Sequence, residues 1–230
     1  MTFTGFPKDM ISFFSELREN NEKEWFDENR DRYERSVMTP SKEFVISMGD
    51  RIREIVPGIN AIPRVNKSLF RINRDVRFSP DKSPYKTNIG IWFWEGEGKR
   101  MDNSGFYFHL DPDSLMLGVG VYMFPKEMME KYRLAVIDDD LGEKLASAVE
   151  TVGSLGYEIG EIGYKKVPRG FPPDHPRAEL LRFKGLTAIE KTPHPPDLHS
   201  EKILDYSMKR FRDMMPIHER LVEMIRWNPK

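Results

Sequence analysis

The sequence predicts an α+β fold: a helical N-terminal third, a central, mainly antiparallel sheet, helices packed on one face and a long C-terminal helix. Three observations carry this. Apolar residues recur at helical spacing from Met10 to Ile55, at a period of two through the middle of the chain, and at helical spacing again beyond Ser200.

Three helices are expected first. Met10, Phe13, Phe14 and Leu17 line one side of the first, with Pro7 near its start and Asn20-Asn21 at its end. Asn21 and Glu24 have the spacing of a capping box for the second, whose apolar side is Trp25, Phe26, Tyr33 and Val37. Thr39-Pro40 reads as the cap and first turn of the third, which buries Phe44, Val45, Met48, Ile52 and Ile55 and stops at Pro57-Gly58. In the middle, Phe70, Ile72, Val76 and Phe78 alternate with Arg71, Asn73, Asp75 and Arg77, as in a strand. Ile89 to Trp94, Phe106 to Leu110 and Leu115 to Tyr122 are further strands, the last two a hairpin closed by Asp111-Pro112-Asp113-Ser114. Helices follow from Pro125 and around Leu141 to Val152, with the acids Asp138 to Asp140 capping the junction. Tyr157 to Val167 and Leu186 to Lys191 read as strands. The final helix carries Leu204, Met208, Phe211, Met215, Val222 and Ile225, and Pro216 should kink or split it.

The chain of 230 residues is read as a single domain, 1–230, with 15 Phe, 8 Tyr and 4 Trp for its core. Lys+Arg and Asp+Glu nearly cancel, 36 against 37, which argues against a global grip on nucleic acid or an anionic membrane. No cysteine is present, so disulfides, thiolate metal sites and cysteine nucleophiles are excluded. The start of the chain does not read as a secretory signal, and no apolar run approaches the roughly 20 residues of a membrane span. A cytoplasmic setting is expected. Walker loops, G-x-S-x-G elbows and H-E-x-x-H pairs are absent, and no metal site is expected.

One segment concentrates charge: Ser68 to Lys86, with Arg71, Arg74, Arg77, Lys82 and Lys86 against Asp75 and Asp81. If it is extended, Arg74 points to the apolar side with Ile72 and Val76. A guanidinium there must be paired or must reach a cavity. Two readings follow: an anion site in which arginine forks grip phosphate or carboxylate, or an internal Arg–Asp network. Arg71, Arg74, Arg77, Lys82, Tyr85 and Lys86 are the candidate ligand-binding residues. A second stretch, Pro168-Arg169-Gly170-Phe171-Pro172-Pro173-Asp174-His175-Pro176, adds Arg169. There Asp174 is expected to cap the short helix of Leu180 and Leu181, and His175 is a candidate proton carrier. His109 reads as an ordinary strand-face residue. Gly118-Val119-Gly120 reads as a close backbone approach or bulge. Trp92 and Trp94 are expected in core or interface packing rather than base stacking.

The run R-I-N-R-D-V-R-F-S-P-D-K-S-P-Y-K, the opening F-x-x-x-L-R-E-N-N-x-x-x-W-F and the later P-R-G-F-x-x-D-H-P together resemble the conserved hypothetical protein family called domain of unknown function 2461. The resemblance spans nearly the whole chain. It implies one domain of about this length, and no established activity, cofactor or substrate. Three functions remain open: a module binding a small phosphate- or carboxylate-bearing ligand; an enzyme of hydrolase or transferase type acting on a phosphorylated small molecule, with Asp75, Asp174 or His175 handling protons; and a protein–protein interaction domain. The cofactor and the protein partners are left unknown.

Overall fold

A computed structural model describes residues 2–160 and 162–228. Its elements are α1 (Lys8–Glu19), α2 (Lys23–Glu28), α3 (Arg30–Tyr33), α4 (Thr39–Arg53), β1 (Ile59–Asn60), β2 (Ile89–Glu95), β3 (Gly105–Leu110), β4 (Leu115–Val121), α5 (Lys126–Ile137), α6 (Asp139–Ser154), β5 (Glu158–Ile159), β6 (Leu186–Thr192), α7 (Lys202–Asp213) and α8 (Met215–Arg226). The strands form an antiparallel sheet in the order β1-β2-β3-β4-β6-β5. The fold is therefore α+β, with helices towards both ends. Contacts cluster into two compact units, Met1–Phe93 with Tyr107–Leu117 and Lys191–Lys209, and Trp94–Phe106 with Gly118–Glu190 and Arg210–Lys230.

In the first unit the expected apolar stripe of α1 is fully buried: Met10, Phe13, Phe14 and Leu17 have no exposed surface. Phe108 of β3 stacks on Phe6 at 5.3 Å and lies 4.6 Å from Phe44 of α4. Each such ring contributes roughly 1.5–3 kcal/mol through burial alone. Arg32 ties the helices together on the polar side, with its forks on Asp9 (2.7 Å) and Glu16 (2.6 Å).

Two capping expectations are corrected. Thr39 is the first residue of α4 but caps no free helix end, because α3 runs into α4 through a π-helical turn, Glu34–Met38. Pro40 lacks an N–H, and the wider turn absorbs that loss. Hydroxyl groups serve the loosened carbonyls: Thr39 Oγ1 donates to Glu34 O (3.0 Å) and Ser41 Oγ to Val37 O (2.6 Å). Asn21 does not cap α2 either, since Glu22 holds that position. Its amide instead accepts from Tyr85 N (3.0 Å) and donates to Tyr85 O (2.9 Å).

The strand expected over Phe70 to Phe78 is also corrected. Residues 68–74 lie antiparallel to 84–92: Phe70 N donates to Gly90 O (3.0 Å), Lys86 N to Ile72 O (2.8 Å) and Arg74 N to Pro84 O (2.9 Å). Only isolated bridges form, Leu69 with Ile91 and Asn73 with Tyr85. Prolines 80 and 84 have no amide to give, and aspartate side chains capture neighbouring ones: Asp75 accepts from Arg77 N and Asp81 from Ser83 N. The alternation survives in burial, with Ile72, Arg74 and Val76 shielded and Arg71, Asn73 and Asp75 exposed. Phe78 breaks it and is 93% exposed.

In the second unit α6 packs on α8, and α5 packs on both. Asp138 caps α6 as expected, accepting from Asp140 N (3.1 Å) and Leu141 N (2.9 Å). The expected strand from Tyr157 to Val167 is shorter: β5 holds two residues, Ile162 adds an isolated bridge to Phe183, and Glu161 lies outside the described residues. The C-terminal helical stretch divides into α7 and α8 at Met214, with Pro216 in the first turn of α8, where a missing N–H costs nothing. Gly120 has φ +128°, and a Cβ there would fall 2.1 Å from Leu186 O, so this is a close backbone approach.

Candidate functional site

The charged segment of the first unit is largely satisfied from within. Arg74 pairs with Asp81 and donates to Ser83 O (3.1 Å). Arg77 grips Asp75 through two nitrogens, at 2.9 and 2.7 Å. That fork, together with the Arg77 amide, brings the Asp75 carboxyl down to about 2, which makes it a poor base near neutral pH. Asp81 also falls to about 2, chiefly through the Ser83 hydroxyl and amide and then Arg74. Lys82 Nζ donates to Val76 O (2.9 Å). Tyr85 is buried, its ring stacked on Phe26 at 4.3 Å. Two further cations complete the segment. Arg71 is exposed, and Lys86 donates to its carbonyl (3.1 Å) while its ammonium lies 5.6 Å from the Phe70 ring.

Beside them runs a polar line that sequence reasoning took for an ordinary strand face. Tyr107 and His109 are alternate residues of β3, and Asp111 follows at the period of two, so all three project from one side. The Tyr107 hydroxyl lies 3.1 Å from His109 Nδ1, and His109 Nε2 lies 3.6 Å from Asp111 Oδ2. Burial pushes the Tyr107 hydroxyl up to about 12, so it stays protonated and is able to donate to Nδ1. In that tautomer Nε2 carries the imidazole proton and faces Asp111 at 3.6 Å, a long contact and not a tight hydrogen bond.

The Asp111 carboxyl would be raised by burial, but the Asp113 and Ser114 amides and the Ser114 hydroxyl outweigh this and hold it below the usual range. Burial disfavours the His109 imidazolium most. Asp111 opposes that, and Lys191 and Lys86 reinforce it, with the net direction downward. Gly90 makes room for the arrangement, since a Cβ there would fall 2.8 Å from the Tyr107 oxygen. The signal available in the sequence was the y-x-h-x-d spacing beginning at Tyr107, hidden because Phe106, Phe108 and Leu110 account for the strand by themselves.

Residues 9–219 match the family model described as Conserved hypothetical protein (DUF2461). The chain belongs to this family. No curated protein and no solved structure matches the chain significantly. The DUF2461 match includes both the Ser68–Lys86 segment and the later stretch with Arg169, Asp174 and His175. Those three residues belong to the second unit. Arg169 and Asp174 are exposed. The expected short helix is a 3-10 turn, Leu180–Arg182. Asp174 does not cap it, and Arg177 N donates instead to His175 Nδ1 (3.1 Å) within the preceding turn.

The second unit of this DUF2461 chain holds another histidine network. His218 is 2% exposed; its Nδ1 lies 3.0 Å from Ser104 Oγ and its Nε2 2.9 Å from Glu95 Oε2. The residue types are those of a hydrolytic triad. Ser104, however, has no exposed surface, so the network is an internal brace and not a nucleophile. Burial lowers the His218 pKa despite Glu95, as it does for His109. Unfolding frees both to bind protons at the ordinary value of 6.5. The unfolded state then holds more protons, and stability falls as pH drops below 6.5 towards the folded values. A urea midpoint that decreases from pH 7 to pH 5.5, and decreases less in H109Q, is the expected measurement.

Proposed function

We propose that the chain binds a small phosphate- or carboxylate-bearing ligand on the outward side of β3, with His109 exchanging a proton with it. The observation that carries this is the imidazole held by the Tyr107 hydroxyl, with Asp111 only loosely on Nε2 and Lys86 and Lys191 near enough to disfavour its charge. An anion placed there would be attracted by Lys86, Lys191 and the exposed Arg71. It would also give Nε2 a closer acceptor than Asp111. Asp75, Arg74, Arg77 and Lys82 then serve to shape the loop, and not to hold the ligand. A cytoplasmic setting accords with a chain that lacks cysteine; among the described residues, no helix is long and apolar enough to cross a membrane.

Catalysis on a phosphorylated small molecule is the second reading. It is favoured by the same Tyr–His–Asp line, in which Asp111 stays ionised beside the imidazole and would steady its protonated form. Thermal-shift measurements with phosphate, sulfate, nucleotides and sugar phosphates test the binding claim, since stabilisation follows affinity by mass action. At least one anion should raise the melting temperature, and K86Q should weaken it about tenfold. Anion binding raises the His109 pKa, so affinity should increase as pH falls towards the lowered value of the free protein. The proposal fails if no anion shifts the melt, or if H109Q leaves the pH dependence of binding unaltered.

A further inference from the structure

We propose that the second unit carries a separate site for a small anion with an apolar tail, built around Arg133. Arg133 of α5 lines a recess of about 470 Å³ whose apolar walls are Phe124, Met129, Leu134 and Phe171. Its Nε is buried and, among the described residues, has no hydrogen-bond partner. What it does have is a ring: the guanidinium carbon lies 5.0 Å from the Tyr164 centroid. Lys184 Nζ lies 5.8 Å from the same centroid. Two cations thus meet at one aromatic ring.

The backbone that carries the ring is fixed. Gly163 N and Tyr164 N donate to Arg182 O (2.9 and 3.0 Å), and Arg182 Nε donates back to Tyr164 O (2.9 Å). Lys184 is held as well, because its stem crosses Gly163 so closely that a Cβ there would fall 2.1 Å from Lys184 Cγ. A buried guanidinium nitrogen without an acceptor is costly and rare. An oxyanion removes that cost, because the fork of arginine fits carboxylate and phosphate alike. Lys126 and Glu130 also line the recess. With Lys184, the cations among the described residues number three against one carboxylate, so an anion is favoured. The four apolar walls would stay wet beneath a bare inorganic ion and would be covered by an aliphatic tail. This site is independent of the His109 proposal and involves none of its residues.

Calorimetric titration of the full chain with octanoate and octyl phosphate tests it, with octanol and inorganic phosphate as controls. At least one tailed anion should bind, and the tailed anion that binds identifies the head group. R133M should weaken binding at least tenfold, and K126Q, a change at the exposed rim, about threefold. Should R133M fail to fold, Y164L takes its place with the same expected loss. H109Q should leave the affinity unchanged. Failure of both tailed anions to bind at millimolar concentration overturns the proposal. So does equal binding by octanol or by inorganic phosphate, unchanged affinity in both R133M and K126Q, or loss of binding in H109Q.

Discussion

Replacing His218 by alanine is expected to cost about 3–5 kcal/mol of folding free energy, read as a lower urea midpoint at unchanged slope. The imidazole is nearly unexposed and lies 4.8 Å from the Phe106 ring, so its removal opens a cavity in the core of the second unit. The Ser104 hydroxyl, fully buried, loses its partner, and such a group pays its full desolvation cost. Glu95 keeps Arg226 on its other oxygen (2.7 Å) but loses the neutral donor on the first. Arg226 is 70% exposed, and its replacement by alanine should move stability far less. A loss below about 1 kcal/mol in H218A would mean that the brace adds little beyond ordinary surface contacts.

G120V should be at least as damaging, at about 4 kcal/mol or more, and should appear mainly as insoluble protein. Two effects combine there. The backbone has φ +128°, a region nearly closed to residues with a Cβ. The new carbon would also meet Leu186 O at 2.1 Å and Thr187 Cα at 2.9 Å, both parts of a strand that cannot swing aside. Gly98 separates the two effects. Its φ is +76° but nothing lies within 4 Å of a Cβ there, so G98A should cost about 1 kcal/mol. Comparable losses in the two variants would show that the close approach to β6 is unimportant.

The periodic parts of the fold were legible because burial imposes the period. The stripe of α1, the hairpin of β3 and β4, the Asp138 cap and the break near Pro216 all follow from local rules. The misreadings arose where a side chain or a neighbouring turn puts backbone groups to another use. Asn21 has the right type and spacing to cap α2, yet its amide is used on Tyr85, 64 positions away. Thr39-Pro40 has a cap's composition, but the helix before it had room to widen into a π turn. Phe70 to Phe78 has a strand's alternation, but two prolines and two aspartates divert its amides.

The candidate site was legible only in part. Excess positive charge pointed to Arg71 and Lys86, while Arg74 and Arg77 turned out to be held by Asp81 and Asp75. The rule applied to Arg74, that an inward guanidinium must be paired or must open on a cavity, finds its unpaired case in Arg133. No charge cluster in the sequence marks that residue, because its significance comes from the ring of Tyr164, brought to it by the chain reversal at Arg182. His109 was visible but uninformative, because a lone histidine on a strand says nothing until its neighbours on the same side are known.

The pair of hydrogen bonds between Asn21 and the backbone of Tyr85 limits how portable the charged stretch can be. Asn21 imitates a neighbouring strand, accepting and donating as a sheet partner would, so Ser68 to Lys86 is held by the junction of α1 and α2 as well as by its own pairing with residues 84–92. A synthetic peptide of those 19 residues, or the same loop grafted onto a foreign scaffold, would arrive without that clasp. Its arginines would still find their aspartates, but Lys86 and Arg71 would no longer be delivered to a fixed place.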